Sequence, residues 1–168
     1  MGGKRRIFGV IAVVLVIIAG AIYYSTNQQR PARIELDFPK TITQGQEFTV
    51  PLRVSTSQAM NAAEFYFSFP AELLEVKSID KTGTIYALWI TGYPKFDNKI
   101  GEISFAGGLP TPGFAADNGL IATVTFKAKQ SGSGTVAINQ EKTQVLANDS
   151  FGTVIESTFQ PVAVQIDD

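Results

Sequence analysis

Two absences bound the chemistry this chain can do. Its 168 residues include no histidine and no cysteine. Without histidine there is no imidazole base and no imidazole metal ligand. Without cysteine there is no disulfide, no thiolate nucleophile and no cysteine-held zinc. Ser-His-Asp and Cys-His catalysis are therefore excluded. Carboxylate chemistry remains, but no two of the 15 acidic residues share a motif that marks them as the acid and base of glycoside hydrolysis. No catalytic residue is assigned, and the chain is read as a non-enzyme. Asp117-Asn118 and Asn148-Asp149 could offer oxygens to calcium. Neither lies in an EF-hand pattern, and both sit where turns favour Asx residues, so no metal site or cofactor is assigned.

Three groups could instead bind something. In "AAEFYFSF" the polar Glu64, Tyr66 and Ser68 alternate with Ala63, Phe65, Phe67 and Phe69. They share the outer face of one strand, either a solvated face or a docking surface in which tyrosine is characteristic. "AGGLPTPGF" (residues 106–114) is apolar and rich in Gly and Pro. It is either a stiff loop packed on the end of the domain or a recognition loop displaying Leu109 and Phe114. Tyr86, Trp89 and Tyr93 could stack on sugar rings, although their spacing beside Ile85, Leu88 and Ile90 also suits core aromatics.

The elements that must hold these groups are strands. Past residue 30 the hydrophobic period is two, not 3.6. "ARIELDFP" sets Ile34, Leu36 and Phe38 against Arg33, Glu35 and Asp37. "EFTVPLRVS" buries Phe48, Val50, Leu52 and Val54, and Pro51, which cannot donate to a ladder, implies an edge or a bulge. "NGLIATVTFKAK" places Leu120, Ala122, Val124, Phe126 and Ala128 on a dry face, with Ile121, Thr123, Thr125 and Lys127 opposite. Asx- and Gly-rich turns separate these runs, as at Asp117-Asn118-Gly119 and Ser131-Gly132-Ser133-Gly134. The pattern predicts an all-β antiparallel sandwich of about nine strands, in one domain over residues 32–168.

The N-terminus reads as an address. Residues 7–24 are 18 uncharged residues, spanning roughly 27 Å as a helix. Residues 1–6 form a basic tip with Lys4, Arg5 and Arg6, which predicts a cytoplasmic N-terminus and an extracellular domain. Ala19-Gly20-Ala21 fits a signal-peptidase site, but the apolar run continues past it and favours an uncleaved single-pass anchor in the cell membrane. Residues 25–31 read as a polar linker. Four of the 14 basic residues (Lys4, Arg5, Arg6, Arg30) and no acidic residue lie in the first 30 positions. The remainder therefore carries 10 basic against 15 acidic residues, a net of −5. Such a domain is a poor nucleic-acid binder.

The strand order and wording resemble the cohesin domain. "EFTVPLRVS" after the turn at Gly45 is similar to the second cohesin strand. "EFYFSFPAELLEVKSI" is similar to the family's aromatic strand, Pro turn and Leu-Glu-Val. "GEISFAGG" followed by "DNGLIATVTFKAKQSGSGT" is similar to the cohesin strand pair opened by an Asx-Gly turn. The resemblance implies a jelly-roll sandwich that docks a dockerin-like module across the face bearing Glu64, Tyr66 and Ser68, with any calcium belonging to the partner. It also implies a link to polysaccharide degradation. Ala62 stands where the family carries Asn, and "AGGLPTPG" stands where it carries charge. Direct carbohydrate binding through Tyr86, Trp89 and Tyr93 is the alternative expectation.

Overall fold

The period-two runs become fourteen strand segments. The computed structural model describes Ile17 and residues 30–168. The strands are β1 (Ala32–Leu36), β2 (Ile42–Thr43), β3 (Glu47–Ser55), β4 (Met60–Ser68), β5 (Leu74–Asp80), β6 (Leu88–Trp89) and β7 (Lys95–Asp97). They continue with β8 (Glu102–Gly108), β9 (Gly119–Ala128), β10 (Gly132–Ile138), β11 (Gln144–Ala147), β12 (Val154–Ile155), β13 (Ser157–Phe159) and β14 (Val162–Asp167). The expected count of about nine is exceeded because several segments are only two or three residues long. Residues 30–168 hold no helix.

Two sheets form. One runs β13-β1-β3-β9-β5. The other runs β12-β11-β4-β10-β14-β2, with β8 on the free side of β4 and β6 and β7 on β8. Their inner faces meet in one core. Val50, Leu52 and Val54 of β3 and Val124 and Phe126 of β9 lie on one side, Phe65 and Phe67 of β4 and Phe105 of β8 on the other. Aromatic rings interlock across it. Phe67 meets Phe159 edge-on at 5.4 Å, and Phe69 meets Phe126 at 5.6 Å, geometries that ring quadrupoles favour.

The sequence expectations need three corrections. Pairing is antiparallel except at two margins, where β1 runs parallel to β13 and β14 parallel to β2. Pro51 sits in an interior strand, between β1 and β9. Its carbonyl accepts from Asp37 N–H, just past the last residue of β1, so its missing donor points where that neighbour has ended. The bulge falls beside it. Leu52 pairs with Ala122 and Arg53 with Leu120, leaving Ile121 as the extra residue. Ile121 is therefore fully buried and Leu120 only partly so, the reverse of what strict alternation predicts.

The basic tip at 1–6 and nearly all of the 7–24 anchor and the 25–31 linker lie outside the described residues. No helix among the described residues is long and apolar enough to cross a membrane.

Candidate functional site

The outer face of the nine-stranded sheet is built around β4. Ala63, Phe65 and Phe67 turn into the core, so Ala62, Glu64, Tyr66 and Ser68 must turn outward. Their cross-strand partners are small. Ala62 lies opposite Gly108, Glu64 opposite Ala106, and Tyr66 opposite Ser104 on β8. Small neighbours leave room over β8, and a side chain from the β6–β7 connection fills it. Tyr93 reaches across β8 and donates its hydroxyl to Glu64 Oε1 at 3.1 Å. Ala106 and Ser104 beneath are each 5% exposed.

Tyr66 also donates to Glu64 Oε1, and its hydroxyl lies 3.0 Å from that of Tyr93. One carboxylate thus holds two phenols in fixed orientation. The hydrogen bond to Glu64, then that to Tyr93, then burial push the Tyr66 phenol well above its ordinary value. Both tyrosines are flanked by cations. Lys95 Nζ stands 4.8 Å from the Tyr93 ring centroid, and Lys142 Nζ 5.8 Å from that of Tyr66. Between them opens a cleft of about 410 Å³, lined by Ser68, Glu102, Ser104 and Asn139 among others. The backbone of Tyr66 is pinned as well, its N–H donating to Thr143 Oγ1 at 3.1 Å and its carbonyl accepting from Asn139 N–H at 2.8 Å.

The predicted residues are redistributed. Glu64, Tyr66 and Ser68 share one face, as their alternation implies, and Ser68 is exposed. Tyr93 joins them, although its spacing grouped it with Tyr86 and Trp89. Tyr86 lies on the other side of the sheet. It is 4% exposed, donates to the Ala63 carbonyl at 3.0 Å, and lies so close to Gly107 that a Cβ there would strike its ring. Burial, then the charge of Glu64, raises its pKa. Trp89 packs edge-on against Tyr86 at 80°. The three aromatics therefore make no common platform for a sugar ring.

Leu109 and Phe114 pack against the core instead of standing out. Their loop is stapled to the start of β4. Leu109 N–H donates to the Asn61 carbonyl at 2.7 Å, and Met60 and Phe114 exchange both backbone bonds. Gly113, at φ +80°, lies against the Met60 carbonyl where a side chain would not fit. The Asx candidates serve turns. Asp149 accepts from the backbone N–H of Phe151, Gly152 and Thr153; the Thr153 side chain first, and these backbone donors after it, lower its pKa, and Asn118 takes a φ of 59°.

Sequence reasoning missed Lys95, Lys142, Leu146, Val154 and Leu88 as members of this face. Leu146 pairs with Ala62 across β11, Val154 with Leu146, and Leu88 with Gly108. No local pattern announces such pairings, because these strands are distant from β4 in sequence.

The comparisons with known proteins accord with this geometry. The family model for the cohesin domain matches residues 33–165. Cellulose-binding protein A of Clostridium cellulovorans is 27% identical over 137 residues, which cover 76% of this chain but only 7% of that protein. The third cohesin of ScaC from Acetivibrio cellulolyticus, solved with the ScaB dockerin, superimposes with a TM-score of 0.64 at 15% identity, over 82% of this chain and 99% of that one. The OlpC cohesin of Clostridium thermocellum, also solved in a cohesin–dockerin complex, gives 0.65 at 13% identity, over 84% and 97%. A non-cellulosomal cohesin from the archaeon Archaeoglobus fulgidus gives 0.61 at 14% identity, over 83% and 93%. The two-sheet sandwich, the strand wording and the match over nearly the whole described domain lead to one conclusion: this chain belongs to the cohesin domain family.

Proposed function

We propose that this chain is a binding module that docks a dockerin-like protein on the outer face of its nine-stranded sheet. Residues 7–24 hold it in the cell membrane with the domain outside. The observation that carries the reading is the Glu64–Tyr66–Tyr93 cluster, set on a face otherwise made flat by Ala62, Ala106 and Gly108. A preorganised polar anchor on flat, partly apolar ground suits protein docking, since little side-chain freedom is lost on binding. Solved relatives, among them those of Acetivibrio cellulolyticus and Clostridium thermocellum, are complexes with dockerins. Calcium, on this reading, belongs to the partner. Tethering raises the local concentration of whatever the partner carries, on this reading a polysaccharide-degrading enzyme.

The test is capture. Dockerin modules are passed over the immobilised full chain with calcium and eluted with a chelator. Calcium-dependent retention that Glu64→Arg abolishes is the expected result. Retention of soluble polysaccharide with no dockerin retained would replace docking by carbohydrate binding.

A further inference from the structure

The same face carries a second feature that the Glu64 cluster does not use. Register places five outward residues in one line across five strands: Val154 of β12, Leu146 of β11, Ala62 of β4, Gly108 of β8 and Leu88 of β6. None is polar. The two ends are the most open, Val154 at 60% and Leu88 at 65% exposure. Beside Leu88, Ile90 is 50% exposed and its N–H donates to the Ala106 carbonyl, which extends the apolar ground by one position. Exposed aliphatic side chains aligned with small residues between them are not the usual composition of a solvated sheet face.

The geometry of the line selects its occupant. Strands lie about 4.8 Å apart, so five strands span roughly 19 Å. An α-helix rises about 5.4 Å per turn, so a helix laid along the line sets close to one turn over each strand. The span corresponds to about 13 helical residues. Gly108 and Ala62 at the middle let the helix approach, while Leu146, Val154 and Leu88 grip its ends. A glycan would instead need flat aromatic faces, and this line has none.

Charge fixes the flank. Lys95 lies opposite Ser104, four residues along β8 from Gly108 and so about 13 Å from the line. Half the width of a helix and two long side chains cover that distance. Lys142 stands across the cleft from it. Among the described residues neither lysine makes an ion pair. Glu102 lines the same cleft two residues beyond Ser104, on the side away from the line, and the carboxylate between the lysines and the line, Glu64, is already occupied by two phenols.

Resting on the docking reading above, we infer that the partner covers this line with a helix that carries an aliphatic stripe, about one residue per turn over some 13 residues, and a carboxylate on the flank facing Lys95 and Lys142. The test is a displayed library of dockerin modules with the exposed positions of their helices randomised, selected with calcium against the full chain. Winners should carry Leu, Ile, Val or Met at i, i+4, i+7 or i+8, and i+11, with Asp or Glu on one flank. Leu146→Asp should weaken them about 100-fold. The Lys95→Glu, Lys142→Glu double variant should weaken them about tenfold and, used as bait, select Lys or Arg on the same flank. Winners with a hydroxyl or amide stripe, or indifferent to both variants, would overturn this inference and leave docking intact. No winner at all would end the docking reading and this one with it.

Discussion

The two outer faces of the sandwich are made by the same alternation, yet they differ in kind. On the five-stranded sheet the outward residues are mostly charged or hydroxyl-bearing, with Pro51 and Leu120 among them, and several pair across strands by opposite sign or like hydroxyl. Glu35 faces Arg53, Lys127 lies between Glu47 and Glu75, and Thr49 faces Thr125. All three ion pairs among the described residues belong to that side: Arg33–Glu35, Arg53–Asp37 and Lys77–Glu75. That face satisfies itself. On the nine-stranded sheet one line across five strands is wholly Val, Leu, Ala and Gly. Beside it stand Glu64, held by two tyrosines, the polar Ser68, Ser104 and Gln144, and a cleft where Glu102 lies with two lysines that make no ion pair among the described residues. This face leaves both apolar area and charge unanswered, which is what a surface completed by a partner looks like.

The sharpest way to break the contrast is a matched pair of substitutions. Leu146→Asp should cost about 100-fold in partner affinity, while Thr125→Asp on the other sheet should leave affinity within about twofold, both read by titration calorimetry. Next is Tyr66→Phe, which removes one of the two donors to Glu64. Affinity should fall about tenfold, and stability by about 1 kcal/mol in urea unfolding. Tyr93 still holds the carboxylate, so Tyr66→Phe combined with Tyr93→Phe should exceed the sum of the single effects.

Alkali sharpens the same comparison, because both tyrosines with raised pKa lie on the nine-stranded sheet. An unfolded tyrosine loses its proton near 10, whereas folded Tyr66 and Tyr86 hold theirs to higher pH. Above about pH 10 the unfolded state therefore binds fewer protons, and stability falls as pH rises towards the folded values. Below pH 10 their contribution is whole. Urea midpoints from pH 8 to 11 should show this decline, shallower in Tyr66→Phe. The smallest effect belongs to the self-satisfied face. Arg53→Ala loses a partly exposed pair with Asp37 and should change stability by less than about 1 kcal/mol.

How much of this was legible depends on whether a feature is local. The outward set Glu64, Tyr66 and Ser68 follows from alternation within one strand, and the sandwich follows from many such strands. Ile121 defeats alternation because a bulge inserts one residue, and a bulge is a property of the pair, not of the strand. Tyr86 and Tyr93 are seven positions apart and looked like one group. Pairing with β8 sends Tyr86 beneath the sheet and Tyr93 above it. Leu109 and Phe114 read as display because the loop is apolar, but its backbone bonds to Asn61 and Met60 fold it against the core. Leu146, Val154 and Leu88 become neighbours only through register between strands that are distant in sequence, which hydrophobic pattern does not encode.

The central claim is that one sheet face, not the other, receives the partner. Backbone amide exchange, measured residue by residue with and without a saturating dockerin module, tests it most directly. The account predicts added protection along 62–68, 102–108 and 144–146 and none at Thr49, Thr123 or Thr125. Protection confined to the five-stranded sheet would contradict it.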